Sequence, residues 1–276
     1  MTRLIAALTV LSALTAPLHA QQTTARTPSH CHALADATRG LHFVHRASLR
    51  DVPQETVDLH YIGHASFLLR SHGGMNIVTD FTGFIGNTQM IPDVVTMNHA
   101  HDTHWTPFPD PAITHALPGW GPHGEGVTHR LDLGEVLVRN VSTDIRSDFT
   151  GVEENGNSIF VFEIAGLCIG HLGHLHHAPN DEQFAAIGRL DVVMAPVDGG
   201  YTLDHATMIA VLKRLRSRIV IPMHWFSGFA LEEFLEGMSD DFTVVRVEGP
   251  QLNVRRDALP SQPTIMVLRP QYLRDN

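Results

Sequence analysis

Short apolar runs separated by Gly, Asn, Asp and Pro make up most of the chain from Thr56 onwards. Runs of this length, rich in Val, Ile and Leu and bounded by turn-forming residues, are typical of β-strands. The pattern predicts strands at Val57–Ile62, Ser66–Arg70, Asn76–Thr79, Val94–Met97, Val136–Val141, Ile159–Ile164, Leu167–Gly170, Val192–Ala195, Ile219–Pro222, Thr243–Val247 and Ile265–Leu268.

Helical periodicity is rarer and lies in the second half of the chain. The clearest helix extends from about Leu203 to Arg216, and shorter ones are predicted at Phe229–Met238 and Asp181–Ile187. Many strands followed by strands that alternate with helices suit two sheets packed face to face, with helices outside. The predicted fold class is therefore α/β, in a four-layer α+β arrangement, within one compact domain over residues 53–276.

The first residues differ from this pattern. Met1–Ala20 combines Arg3 with an apolar stretch and ends in Leu-His-Ala, which is typical of a cleaved secretory signal peptide. Residues 21–52 are polar and mixed, and we interpret them as an N-terminal arm. We expect a periplasmic or secreted protein without a membrane span after cleavage. A retained N-terminal anchor is the alternative.

Composition narrows the class of partner. Lys and Arg total 19 against 29 Asp and Glu, and no basic run occurs, which argues against nucleic acid and anionic lipid. We therefore expect a small-molecule substrate, while the sequence gives no indication of the oligomeric state. Of the two cysteines, Cys168 is expected to be an inert buried residue, and a disulfide with Cys31 is the alternative.

Twenty histidines are the unusual feature of this composition, because histidine is the commonest metal ligand. The predicted strand Val94–Met97 leads directly into a His-x-His-Asp-x-His motif. Two other predicted strand ends also carry histidines. Imidazoles gathered from several strand ends suit zinc, with one or two ions, or another divalent transition metal. A solvated histidine cluster is the alternative. The candidate ligands in these segments are His99, His101, Asp102, His104, His174 and His224.

Several motifs, taken in order, resemble the metallo-β-lactamase-fold hydrolases, and most closely the branch of the L-ascorbate-6-phosphate lactonase. They are Tyr61–Leu68, Ile77–Asp80, His99–His104, Ile169–His174, Ala195–Thr202 and Ile221–His224. The resemblance implies an αββα sandwich with a one- or two-metal site at the edge between the sheets. It also implies a metal-bound water as nucleophile, which agrees with the absence of a Gly-x-Ser-x-Gly elbow.

The chain departs from the family pattern at three positions. Thr103 and His174 occupy positions where the family has an aspartate, and in the case of His174 that aspartate bridges the two metals. Asp144 occupies a position where the family has a histidine. The resemblance then implies one site with His99, His101 and Asp144, and another with His104, His174 and His224. Asp102 adds a carboxylate if its loop turns inward. We expect one tight and one weak metal site.

Catalytic roles are assigned to His104 and Asp102, and His104 can act as a base that orients water. Asp80 resembles the aspartate that accepts a hydrogen bond from a ligand histidine, with a turn cap as its alternative. His64 faces the site or is a core histidine, and His171 orients its loop. Three further histidines are expected to be exposed: His176, His177 and His205. Three aromatic residues next to the metal motifs either wall a substrate pocket or belong to the core: Trp105, Trp225 and Phe226.

The favoured function is an exported metal-dependent hydrolase that cleaves an ester, lactone, amide or phosphodiester bond. A non-catalytic periplasmic metal-binding protein on the same fold is the second hypothesis, and a pseudoenzyme without metal is the third. β-Lactamase activity itself is disfavoured, because membership of a fold does not select a substrate.

Overall fold

A computed structural model describes residues 28–32, 55–98, 101–147 and 151–275. Three α-helices lie in this part of the chain, α1 (Asp181–Ile187), α2 (His205–Leu215) and α3 (Gly228–Met238). The strands are β1 (Thr56–Gly63), β2 (Ser66–Arg70), β3 (Asn76–Thr79), β4 (Gly86–Asn87), β5 (Val94–Met97), β6 (His115–Pro118), β7 (Arg130–Asp132), β8 (Val136–Ser147), β9 (Gly151–Ile164), β10 (Leu167–His171), β11 (Val192–Pro196), β12 (Ile219–Met223), β13 (Thr243–Arg246), β14 (Gln251–Arg255), β15 (Thr264–Val267) and β16 (Leu273–Arg274).

Two large sheets form the framework. The first has the order β14-β1-β2-β3-β5-β6, and the second has the order β13-β15-β12-β11-β10-β9-β8-β7. Strands β3, β5 and β6 are parallel in the first sheet, and β10, β11 and β12 are parallel in the second. The carboxyl ends of these parallel strands are where ligands commonly bind in mixed sheets.

The main core lies between the two sheets, where alternating apolar side chains from both meet. Phe67 from the first sheet and Phe160 and Phe162 from the second are fully buried there. A second apolar layer joins the other face of the eight-stranded sheet to the helices, through residues such as Met208 and Phe234. This two-sheet arrangement confirms the predicted sandwich.

In the described part of the chain, loops cover the outer face of the six-stranded sheet. Val78 and Val95 pack there against Phe81, Ile85 and partly buried Trp105. These covering side chains come from loops. Within the described residues, the α-helices therefore pack against the eight-stranded sheet only.

The segment 28–32 is fastened to the eight-stranded sheet. Cys31 and Cys168 form a buried disulfide. The disulfide, which the sequence indicates as the alternative to an inert Cys168, is therefore present in the structure. Ser29 donates a hydrogen bond to the buried carboxylate of Glu163, which also pairs with Arg139. The predicted signal peptide, and the rest of the predicted arm, lie outside the described residues. No described helix is long and apolar enough to span a membrane.

Candidate metal centre

Four histidines converge at one rim of the sandwich. One nitrogen from each of His101, His104, His174 and His224 lies within 4.8 Å of the others. The first two follow β5 in the six-stranded sheet, and the other two follow β10 and β12 in the eight-stranded sheet. The strand ends meet because parallel strands of both sheets point toward this rim. The sequence argument that distant strand ends deliver imidazoles to one place therefore agrees with the geometry.

Three residues of this region have left-handed backbone conformations. His64, Asp80 and His224 have φ values of +54°, +50° and +56°. Each lies directly after a strand, where the left-handed turn directs its side chain toward the rim. Such conformations are unfavourable for residues other than glycine and cluster at functional sites.

Two buried carboxylates determine which nitrogen of two ligands carries a proton. Asp80 Oδ2 lies 2.6 Å from His104 Nδ1, and Asp198 Oδ2 lies 2.8 Å from His224 Nδ1. An ionised carboxylate can only accept, so each imidazole donates from Nδ1 and keeps a bare lone pair at Nε2. Those two Nε2 atoms face each other at 3.3 Å. Facing lone pairs repel, and a cation between them removes the repulsion.

The distances fit a tetrahedral metal ion. Zinc–nitrogen bonds of about 2.0–2.1 Å at tetrahedral angles place neighbouring nitrogens about 3.3 Å apart. The His104–His224 pair is at 3.3 Å and the His101–His174 pair at 3.2 Å, measured between Nε2 atoms. Imidazole donors suit zinc and other late first-row divalent metals. The residues present therefore fit a divalent cation, with these four histidines as its holders.

His174 differs from the other ligands because another imidazole replaces the carboxylate behind it. The backbone N–H of Arg146 donates to His176 Nδ1 at 2.7 Å, so a neutral His176 carries its proton on Nε2. That Nε2–H lies 2.6 Å from His174 Nδ1 and must donate to it. His174 then keeps its own proton on Nε2, facing His101. For all four histidines to hold a cation, this proton would have to be released from Nε2 to solvent.

The same direction of donation continues beyond His101. His101 Nδ1 lies 2.8 Å from Thr103 Oγ1, and this hydroxyl lies 3.2 Å from His64 Nε2. With His174 donating to His101, His101 donates to Thr103, and Thr103 donates to His64. A hydroxyl can accept and donate at once, which a carboxylate at this position cannot do. Thr103, one of the departures from the family pattern, therefore completes this hydrogen-bond chain.

His64 and His171 both lie beside the cluster. His64 Nε2 is 3.4 Å from His104 Nε2, and its ring packs against His224 with centroids 4.3 Å apart. The structure therefore places His64 at the site, the first of its two alternatives. His171 Nε2 donates to the carbonyl of Ala65, and its Nδ1 accepts from Gly173 N–H. These bonds join the buried ring of His171 to the loop that carries His174.

The electrostatic environment keeps these imidazoles neutral. Burial, followed by the neighbouring histidines, lowers the pKa of His104 and of His174 far below the usual value. The same causes lower the pKa of His64 to about 3. Neutral imidazoles are the form that binds metal. Burial also acts to raise the pKa of Asp198, but hydrogen bonds from His224, Thr202 and Gly200 outweigh it and lower that pKa.

Two predicted carboxylate ligands are not brought to the cluster. Asp102 is exposed, at the start of the short 3-10 helix Asp102–His104, and belongs to no group of converging ligand atoms among the residues that the structure describes. Asp144 lies where the β8–β9 register shifts, and its Oδ1 accepts from the backbone N–H of Asn155. The inward side chain is its neighbour Thr143, which bonds Asn157. The geometry corrects both ligand assignments and removes the support for a catalytic Asp102. His99 lies outside the described residues.

Sequence reasoning missed two functional residues. The motif Ala195–Thr202 gives no separate role to Asp198, whose carboxylate orients His224. His176 was expected to be exposed, but it is half-buried and bonded to His174. A signal was available for Asp198, because the turn Asp-Gly-Gly-Tyr-Thr directly follows an apolar strand. His177 is exposed, as expected.

The three aromatic residues considered as walls of a substrate pocket lie in different parts of the structure. Trp105 contacts Trp120 and packs on the outer face of the six-stranded sheet, and Trp225 packs against the core beneath the helices. Phe226 contacts His224, with ring centroids 4.9 Å apart. Tyr201 and Thr202 lie in the loop before α2, because Asp204 caps that helix. The N–H of Thr202 donates to Asp198, so it is not free to bind an anionic substrate.

Metal affinity is expected to fall as the pH drops below about 7. Burial raises the pKa of Asp80 to about 7. A protonated Asp80 would donate to His104 Nδ1 and thereby move the imidazole proton to the Nε2 atom that the metal needs. Each competing proton weakens binding about tenfold per pH unit. Competition with a chromophoric chelator between about pH 5.5 and about pH 8 measures this slope.

Asp80→Asn is the matched variant for that measurement. It should bind metal about 10–100-fold more weakly at every pH and show a shallower pH slope. A wild-type slope and affinity in this variant would show that Asp80 does not control the tautomer of His104.

The comparisons with known sequences concern this same region. The sequence model of the beta-lactamase superfamily domain matches residues 58–224. A UPF0173 metal-dependent hydrolase of Methanosphaerula palustris is 26% identical over 186 residues, which cover 62% of this chain and 84% of that protein. A UPF0173 metal-dependent hydrolase of Methanospirillum hungatei is 25% identical over 181 residues, covering 60% of this chain and 81% of that protein. These relatives confirm the predicted enzyme class, a metal-dependent hydrolase, at the level of the family.

Solved structures show the same fold. A metallo-β-lactamase superfamily protein of Thermotoga maritima superposes with a TM-score of 0.53 at 25% identity, covering 78% of this chain and 100% of that one. Igni18, a metallo hydrolase of Ignicoccus hospitalis, has a TM-score of 0.52 at 19% identity, covering 72% and 99%. The finer resemblance to the ascorbate-phosphate lactonase branch stays a prediction. Because the family match spans more than half of the 276 residues, this chain belongs to the beta-lactamase superfamily and has its metallo-β-lactamase fold.

Proposed function

We propose that this protein is an exported hydrolase that uses a divalent cation, zinc in the first instance, to cleave an ester, lactone, amide or phosphodiester bond of a small molecule. The observation that carries the proposal is the pair of Nε2 lone pairs of His104 and His224, aimed at each other and backed by buried carboxylates. A divalent cation held by these residues would supply a Lewis acid and would activate water for hydrolysis.

The side chains around the ligands have distinct tasks in this proposal. Asp80 and Asp198 fix the ring orientation of two ligands, as carboxylates behind metal-binding histidines generally do. His64 lies beside His104, and its Nε2 accepts from the Thr103 hydroxyl. Since burial lowers the pKa of His64 to about 3, this residue holds the hydrogen-bond chain in place as a neutral imidazole.

A non-catalytic metal-binding protein is the second candidate, and one observation favours it. The four converging histidines are enough to fill a tetrahedral coordination sphere, whereas catalytic zinc keeps one position open. The proton that His174 holds on Nε2 favours the hydrolase, because His174 is then the ligand that must be deprotonated before it can bind.

Metal removal and restoration test the proposal. Protein purified without a histidine tag is assayed against neutral esters, lactones, amides and phosphodiesters before and after chelation, with elemental analysis of each sample. We expect hydrolysis of at least one substrate to fall by about a hundredfold or more on chelation and to return with zinc. Stoichiometric metal without any turnover would reject the hydrolase in favour of the metal-binding protein.

Export is the other part of the proposal. The buried Cys31–Cys168 disulfide supports it, because such bonds form and persist mainly in oxidising compartments. The signal-like start of the sequence points the same way. Fractionation of cells that express the full chain, with thiol labelling, should recover oxidised protein outside the cytoplasm. Reduced protein confined to the cytoplasm would contradict export.

A further inference from the structure

Two exposed aromatic residues stand beside the candidate metal centre. Tyr201 is 69% exposed and Phe226 is 62% exposed, and their rings meet edge to face at 5.4 Å. Phe226 also contacts the imidazoles of His224 and His64, at 4.9 Å and 5.5 Å between centroids. Apolar surface this exposed is unfavourable in water, and contiguous patches of it commonly mark binding sites. The pair thus extends the centre outward as an aromatic wall, formed by Tyr201 and Phe226.

The backbone beneath the wall is held on both sides. The guanidinium of Arg146 donates to the carbonyls of Gly200, Tyr201 and Thr202. The carboxylate of Asp198 accepts from the N–H groups of Gly200 and Thr202 and from the Thr202 hydroxyl. Tyr201 is therefore presented by a fixed turn. The same carboxylate orients His224, so one residue positions both a metal ligand and the wall.

The exposed surface of the wall carries no charged group. Tyr201 and Phe226 present uncharged rings to solvent. Beneath them, Nη2 of Arg146 is directed to three carbonyls of the turn, and the carboxylate of Asp198 accepts from two N–H groups and a hydroxyl. Two uncharged rings suit an uncharged ring of a ligand better than a phosphate or carboxylate.

We propose that Tyr201 and Phe226 form a subsite for an uncharged aromatic group of the substrate, next to the bond that is cleaved. This inference rests on the proposed function and specifies its substrate class. Among the four bond types considered, it favours aryl-substituted esters, lactones or amides over phosphorylated substrates. Aromatic rings stack edge to face or offset on one another, so the wall recognises a ring better than an alkyl group of equal size.

Hydroxamates of graded structure test the subsite without requiring turnover. Calorimetry measures binding of acetohydroxamate, benzohydroxamate and 4-carboxybenzohydroxamate to the zinc-loaded protein. The shared hydroxamate reports on the metal, and the differences among the three report on the wall. Benzohydroxamate should bind about tenfold more tightly than acetohydroxamate, and the added carboxylate should remove most of that gain.

Variants assign the gain to the wall. In Phe226→Ala the ratio of benzohydroxamate affinity to acetohydroxamate affinity should fall to about one, and Phe226→Leu should retain part of the wild-type ratio. Phe108→Ala, which removes a ring that is 87% exposed elsewhere, should change nothing. Equal binding of acetohydroxamate and benzohydroxamate would overturn the subsite and leave the metal centre standing. If no hydroxamate binds the zinc-loaded protein, the metal has no open coordination position, so the proposed hydrolase fails and the subsite fails with it.

Discussion

Replacing His224 with alanine is expected to abolish stoichiometric zinc binding and to lower kcat/KM about a thousandfold or more. The imidazole of His224 is buried, is locked by Asp198, and faces His104 Nε2 at 3.3 Å. Without it, only one of the two Nε2 atoms prepared by carboxylates is left. Loss of the metal removes several kcal/mol of transition-state stabilisation, which corresponds to that change in rate.

The measurement combines elemental analysis with initial rates on the best substrate of the panel. His177→Ala is the matched control, since His177 is an exposed histidine close to His174 in sequence. It should keep full metal content and activity. A metal content in His224→Ala equal to that of the control would show that His224 is not a ligand.

Asp198→Asn is expected to weaken zinc binding about 10–100-fold, because the amide lacks the charge that orients and polarises His224. It should also destabilise the fold by about 3 kcal/mol, since a buried carboxylate with several donors is replaced by a neutral group. Four donors converge on this carboxylate: His224 Nδ1, Thr202 Oγ1, and the N–H groups of Gly200 and Thr202. Chelator competition and urea unfolding of the metal-free protein measure the two effects separately.

Asp240→Asn provides the control for charge alone, because Asp240 is exposed in the turn after α3. It should leave both quantities unchanged within experimental error. If Asp198→Asn also matches the wild-type protein in zinc affinity, the pairing of Asp198 with His224 has no role in metal binding.

Much of the framework could be predicted from the sequence, because buried strands are continuous apolar runs. Ser66–Arg70, Asn76–Thr79 and Val94–Met97 were predicted with the bounds that the structure has. The ends of β8 and β9 could not be predicted, because this long hairpin continues through polar residues without an apolar face. The predicted strands there stop at Val141 and begin at Ile159, while the hairpin extends to Ser147 and starts at Gly151.

The same limit explains which site residues were found. Histidines at strand ends carry their own chemical signal, so His101, His104, His174 and His224 could be selected from the sequence. Whether Asp144 points inward depends on a register shift within β8, and sequence alone does not show this shift. Asp198 resembles any aspartate in a glycine-rich turn, and its role appears only when His224 is placed against it.

The left-handed residues His64, Asp80 and His224 have a consequence for how the protein depends on its metal supply. Each costs about 1–3 kcal/mol relative to ordinary backbone geometry, and the folded chain bears this cost before any ion arrives. An ion that binds only the native state adds about 1.4 kcal/mol of stability for every tenfold rise in its free concentration above Kd. Heat tolerance is therefore expected to depend on the free concentration of the divalent metal around the protein, and metal starvation is expected to lower the native fraction as well as the activity of each molecule.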